Sequence, residues 1–64
     1  MKDLILDTLK AKYAAEMQSH LINIQVMIDN PTAIQEHQDF ISALDIEVEK
    51  YTTARDKLES VSKF

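Results

Sequence analysis

The chain has 64 residues and a formal net charge of −4, with no cysteine, no glycine, one proline and two histidines. This composition excludes a disulfide framework, every phosphate loop built on glycine and a structural zinc site of the usual kind. Residues 1–64 form one domain at most, and two or three elements cannot enclose a catalytic pocket. We therefore expect no enzyme, no catalytic or metal-binding residues and no cofactor.

Charge and hydropathy also restrict the partners. Eleven acidic residues outnumber seven basic ones and form no basic stripe, so we expect no binding of DNA or RNA. No apolar run reaches the roughly 18 residues of a transmembrane helix, and the N-terminus lacks the apolar core of a signal peptide. These features predict a cytoplasmic protein with no membrane partner.

The first predicted element is a helix over about residues 2–29, which lacks glycine and proline and is rich in strong helix formers. Eight of its residues share one face at about 100° per residue. They are Leu6, Leu9, Tyr13, Met17, His20, Ile24, Met27 and Ile28.

The last two turns of this helix carry apolar side chains on almost every side. The six residues concerned are Leu21, Ile22, Ile24, Val26, Met27 and Ile28. A helix that is apolar all round must be buried all round, and one neighbouring helix covers only one side. We therefore expect these six residues to form an interface between copies of the chain. A dimer that closes a four-helix bundle is the simplest arrangement, because twofold dimers are the commonest oligomers.

The corner begins at Asn30 and Pro31, because residues before a proline avoid the helical conformation. Asn30 can cap a helix that starts at Pro31, or Thr32 can form a capping box with Gln35, and the sequence leaves both open. Glu36, His37 and Asp39 follow. Their spacing matches no metal motif, so helix capping and solvated charge are favoured over an acid–base pair.

The second predicted helix covers about residues 37–61, which again lack helix breakers. Its expected seam follows a 3-4-3 spacing through Ile41, Leu44, Val48 and Tyr51, and continues through Ala54 or Arg55, Leu58 and Val61. We expect Asp45, Glu47 and Glu49 to form a solvated face. Two helices of matched length joined by a short connection predict an all-α fold, an antiparallel two-helix hairpin about 40 Å long.

His20 and the two tyrosines are the remaining candidates for chemistry. A histidine on a seam could act as a pH switch. A packed imidazole that is bonded to a carboxylate or hydroxyl across the interface, or one near the bundle edge, is favoured. Tyr13 and Tyr51 could stack on a base, but tyrosines on a seam more commonly fill a core.

The corner resembles a group of short proteins encoded by tailed bacteriophages, cyanophages among them. These carry the pattern Asn-Pro-x-Ala/Gly-Ile-x-Glu-His-x-Asp between two helical stretches. The pattern matches Asn30, Pro31, Ala33, Ile34, Glu36, His37 and Asp39 here, while Gln35 and Gln38 stand where the pattern often has Gly and Pro. The resemblance implies that the matching corner residues matter, and we take Asn30, Pro31, Ile34, Glu36, His37 and Asp39 as the candidate partner-binding set.

These observations predict a small phage-type accessory protein, an oligomeric hairpin in the host cytoplasm that binds a host or phage protein. The alternative is an oligomeric sponge that sequesters a small nucleotide of host immune signalling. Lys12, Tyr13, Asn30 and Thr32 would then be contacts, in a pocket made between subunits. The acidic corner argues against that alternative, because it repels phosphate.

Overall fold

The computed structural model of the chain describes residues 1–30 and 37–64. Within them, α1 covers Lys2–Asp29 and α2 covers His37–Val61, and this part of the chain contains no strand. Both helices begin and end where the sequence predicts. They pack as an antiparallel hairpin. Tyr13 of α1 lies beside Lys57 of α2, and His20, further along α1, bonds to Glu47, which comes earlier in α2.

The contact between α1 and α2 is built on a seven-residue repeat in each helix. Side chains at alternating spacings of four and three lose half or more of their exposure, which is the periodicity of a coiled-coil seam. In α1 they are Leu6, Lys10, Tyr13, Met17, His20, Ile24 and Met27. In α2 they are Phe40, Leu44, Glu47, Tyr51, Ala54, Leu58 and Val61.

The seam of α2 differs from the expected one at two positions. Ile41 and Val48 are 59% and 43% exposed, and the preceding residues Phe40 and Glu47 lie in the seam instead. The expectation that Glu47 is solvated was therefore wrong. Hydropathy alone favours Val48 over Glu47, but the carboxylate of Glu47 meets a hydrogen-bonding partner across the seam.

The seam of α1 differs at two positions. Lys10 takes the place in the repeat that was expected for Leu9, and both residues are half-buried. Ile28 was expected on the seam face but is 56% exposed, whereas Met27 is half-buried. The repeat reaches Met27 in three residues from Ile24, so Ile28 lies one residue beyond the contact.

Asn30 caps the C-terminal end of α1. Its backbone N–H donates to the carbonyls of Val26 (3.1 Å) and Met27 (3.4 Å), and its side-chain amide donates to the Val26 carbonyl at 2.9 Å. Asn30 thus satisfies carbonyls that the last turn would leave open. Whether Pro31 or Thr32 takes part in a cap concerns residues 31–36, which lie outside the described residues.

The hairpin is a thin rod of 50 × 14 × 11 Å. Its radius of gyration is 14.9 Å, against about 10.7 Å for a compact chain of this length. Its accessible surface is 5024 Å², against about 4,200 Å² for a compact monomer of this mass. Ala54, at 3% exposure, is the one buried residue of the described part. Residues 1–30 and 37–64 of a single hairpin therefore form a seam but no enclosed core.

Candidate functional site

A polar cluster interrupts the seam in the middle of the hairpin. Nδ1 of His20 donates to Oε2 of Glu47 at 2.8 Å, and the side-chain amide of Asn23 donates to the same oxygen at 3.2 Å. The side chains of His20 and Glu47 are 23% and 19% exposed. The hydrogen bond from His20, helped by the one from Asn23, holds the pKa of Glu47 below its ordinary value.

This cluster fixes the register of the two helices. A polar residue in a seam is satisfied only when its partner lies opposite, so sliding one helix by a turn would leave Glu47 without its two donors. The favoured sequence interpretation of His20, a packed imidazole bonded to a carboxylate, is confirmed. Its role as a pH switch remains a hypothesis.

Sequence reasoning missed Glu47 and Asn23 as members of this cluster. The spacing did not identify Glu47, because residues 41, 44, 48, 51, 55 and 58 follow a repeat of threes and fours as regular as that of residues 40, 44, 47, 51, 54, 58 and 61. Hydropathy then favoured Val48 over Glu47.

One broad side of the hairpin is charged, and we call it the charged side. A shallow groove of about 350 Å³ runs along it. Its lining consists of Glu16, His20, Ile46, Glu49, Lys50, Thr53, Ala54 and Lys57. Nζ of Lys57 lies 5.6 Å from the centre of the Tyr13 ring, within range of a cation–π contact. Two lysines and two glutamates share this lining, so the groove has no excess of positive charge for a phosphate group.

The opposite broad side is apolar over the half nearer the corner, and we call that half the apolar side. At 100° per residue, the helices place Ala14, Leu21 and Ile28 of α1 on this side, together with Ile41 and Val48 of α2. Ile28, Ile41 and Val48 are exposed by 56%, 59% and 43%. The half nearer the termini carries Asp7, Arg55 and Glu59 instead, and the same repeat places one exposed charge, Asp45, at the edge of the apolar side.

A third surface, the outer face of α1, points away from α2. The helical repeat places Leu4, Thr8, Ala11, Ala15, Ile22 and Val26 on it. All six are exposed and uncharged, and Leu4, Ile22 and Val26 are exposed by 64%, 56% and 54%. The same repeat also places the charged residues Lys12 and Asp29 on this face. Small side chains lie between apolar ones, so the backbone of another helix can approach closely.

The six residues predicted to form an interface between copies separate into three places. Ile24 and Met27 are half-buried in the seam, Ile22 and Val26 lie on the outer face of α1, and Leu21 and Ile28 lie on the apolar side. The apolar side chains of this segment thus point to three surfaces of the hairpin, and α2 covers one of them, the seam.

The candidate corner residues are described only in part. Asn30 ends α1, and Asp39 lies exposed in the first turn of α2, where a carboxylate suits the positive end of the helix dipole. Pro31, Ile34 and Glu36 lie outside the described residues, as does the side chain of His37.

The residues expected to contact a nucleotide are not brought together within one copy. Tyr13 is half-buried in the seam. Asn30 lies seventeen residues further along the chain, which is a distance of about 25 Å along the helix axis. Thr32 lies outside the described residues. A pocket containing these groups would have to be made between subunits.

Two further findings concern residues 1–30 and 37–64. No group of three or more histidine and carboxylate side chains there is placed to hold a metal ion. Neither α1 nor α2 has an apolar stretch long enough to cross a membrane. Comparison with known proteins found no matching family model, no similar curated protein and no similar solved structure.

Proposed function

We propose that this chain acts by binding proteins: an oligomeric helical hairpin, a small phage-type accessory protein of the host cytoplasm, that engages a host or phage protein. The observation that carries the proposal is the mismatch between enclosed and exposed apolar surface. Ala54 alone is enclosed in the described part, while ten large apolar side chains are at least 43% exposed. Apolar area left in water favours association at about 25 cal/mol per Å².

The outer face of α1 is the surface we assign to the partner protein. Its charges are limited to Lys12 and Asp29, and its small residues at the centre allow an amphipathic helix to pack closely. Mixed charges on the charged side provide no such continuous surface. The expected partner element is therefore a helix with an apolar stripe.

The experiment uses three versions of the full chain as bait in a lysate of the host. The wild type is compared with the double variant Ile22→Glu/Val26→Glu, and with Thr53→Glu, which adds a charge on the charged side. All three positions are exposed, so the fold should tolerate the changes. Circular dichroism checks that helicity is kept.

We expect a protein that is retained by the wild type and by Thr53→Glu and lost from the double variant. Equal retention on all three baits would contradict the assignment of this surface, and no retained protein on the wild type would contradict the function. A thermal-shift screen with cyclic nucleotides runs in parallel, because stabilisation by several degrees would instead favour the nucleotide sponge.

A further inference from the structure

We propose that the half of α2 nearer the corner, residues 37–51, has two packing positions on α1 that differ by a rotation of about 50° about the axis of α2, and that the hydrogen bonds to Glu47 select the observed one. Such a rotation belongs to the hairpin itself and requires no partner protein, so it goes beyond the proposed function.

Two seams compete in this half of α2, and Leu44 and Tyr51 belong to both. The observed seam adds Phe40 and Glu47, and the alternative seam adds Ile41 and Val48 in their place. Only the alternative seam lacks a charged residue, although its two isoleucine and valine side chains are 59% and 43% exposed in the observed position. Since consecutive residues lie 100° apart around a helix and the shared residues lie between them, a rotation of about 50° exchanges one seam for the other.

The half of α2 nearer the termini would keep its place. There Ala54 and Val61 of the observed seam are apolar, whereas the residues that follow them, Arg55 and Ser62, are polar. The rotated half would join this unchanged half where two spacings of three follow each other, from residue 48 to 51 and from 51 to 54. Coiled coils accommodate such an interruption of the repeat by a local change in winding.

The side of α1 that would receive the rotated residues is already apolar. Leu21 and Ile28 lie on the apolar side, as Val48 does on α2. Because Leu21 follows His20 and Val48 follows the partner of His20 in an antiparallel pair, the two lie within about 3 Å of each other along the axis. The rotation would therefore bring apolar side chains of both helices together and remove them from water.

The polar cluster explains why the less apolar seam is the observed one. His20 donates to Oε2 of Glu47 at 2.8 Å, and Asn23 donates to the same oxygen at 3.2 Å. Without these donors, Glu47 would be an unpaired carboxylate on a side chain only 19% exposed, and a turn into water on the charged side would become favourable. Because the rotation takes Val48 off the apolar side, the cluster also controls which residues of α2 another protein can reach.

The test follows the reactivity of single cysteines in full-length chains, which contain no cysteine of their own. Val48→Cys is at an exposed position that the rotation should bury, and Ala43→Cys is at a half-buried position on the opposite edge of the seam that the rotation should expose. Ser60→Cys, at an exposed position in the unchanged half, is the control. The rate of reaction with a thiol reagent reports the accessibility of each cysteine.

Each cysteine is measured in three backgrounds at one protein concentration. The first is the wild type, and the second is His20→Leu/Asn23→Ala, which removes both donors. The third adds Glu47→Leu to the second, so that no carboxylate is left unpaired and the observed seam should be kept. Circular dichroism measures the helicity of every variant.

Removal of both donors should slow the reaction of Val48→Cys and speed that of Ala43→Cys, each about fivefold, and leave Ser60→Cys unchanged. Addition of Glu47→Leu should return both rates to within about twofold of the wild-type background. Faster reaction at both reporters would show opening of the hairpin rather than rotation and would overturn the inference. Unchanged rates, or rates that Glu47→Leu does not restore, would overturn it as well.

Asn23→Ala alone decides the question if the double variant loses its helicity. Position 23 is exposed, and this change removes only one of the two donors. Slower reaction of Val48→Cys together with faster reaction of Ala43→Cys, each about twofold, would support the second packing position. Unchanged rates at both reporters would contradict it.

Discussion

Glu47 shows how a single polar residue can specify a helical pairing. Its carboxylate accepts two hydrogen bonds from α1, one from His20 and one from Asn23. Both bonds favour the ionised form and therefore lower the pKa of Glu47 in the folded state. Because the unfolded chain takes up the proton at a higher pH than the folded chain, this contribution to stability is present at neutral pH and is lost on acidification.

We predict that Glu47→Gln flattens the acid limb of the stability profile. The wild type should lose stability as the pH falls from about 5 through the lowered folded-state pKa, since the ordinary pKa of glutamate is about 4.3. The variant, which cannot ionise at this position, should lose less over the same range. Urea titrations followed by circular dichroism at pH 7, 5, 4 and 3 measure the difference.

Glu49→Gln is the matched control for this prediction. It removes the same charge two residues away, at an exposed position that makes no ion pair in the described part of the chain. Its acid limb should follow that of the wild type. Parallel acid limbs for Glu47→Gln and the wild type would show that the hydrogen bonds to Glu47 do not contribute to stability.

The seam between the helices is tested by comparing two isoleucines on one helix. Ile24 is half-buried in the seam and Ile22 is 56% exposed on the outer face of α1. Aspartate has the same low helix propensity at both positions, so the difference between Ile24→Asp and Ile22→Asp reports burial alone. We expect Ile24→Asp to cost about 2–4 kcal/mol and Ile22→Asp less than about 1 kcal/mol.

Thermal unfolding followed by circular dichroism measures both variants at one protein concentration. The cost at Ile24 is a large fraction of the stability of a unit of this size, so Ile24→Asp should unfold at a much lower temperature than Ile22→Asp or show no folded baseline at all. Equal midpoints for the two variants would mean that the seam assignment in α1 is wrong.

The elements themselves could be predicted from the sequence because their boundaries depend on local chemistry. Pro31 and the absence of glycine determine where a helix can continue, and the predicted bounds of α1 and α2 agree with the structure. The seam of α2 could not be predicted from hydropathy, because the choice between Glu47 and Val48 depends on His20, 27 residues away in the chain. A long-range hydrogen bond of this kind leaves no trace in local composition.

The interface segment was predictable only in part, for a related reason. The apolar character of residues 21–28 is visible in the sequence, but its division among seam, outer face and apolar side depends on where α2 lies. Ile22 and Ile28 are equally exposed, at 56% each, yet the helical repeat directs them to different surfaces. Periodicity in one helix therefore predicts that these residues are apolar, but not which surface each of them belongs to, and their part in an interface between copies stays a prediction.

At the scale of the whole molecule, the hairpin has more surface than a compact chain of its mass and little enclosed apolar volume. For scaffolds this small, apolar burial and conformational entropy nearly cancel. We therefore propose that additional burial between copies is needed for folding. Folding and association should consequently be linked, and stability should depend on protein concentration.

We predict that the midpoint of thermal unfolding rises by several degrees for each hundredfold increase in chain concentration. Association stabilises the folded state in proportion to the logarithm of concentration, and a shift of this size is expected because small domains have a small unfolding entropy. Circular dichroism at about 1 and 100 µM, with sedimentation equilibrium on the same samples, measures midpoint and mass together. A concentration-independent midpoint with a folded species of 7.4 kDa would show that one hairpin is stable with its apolar side in water.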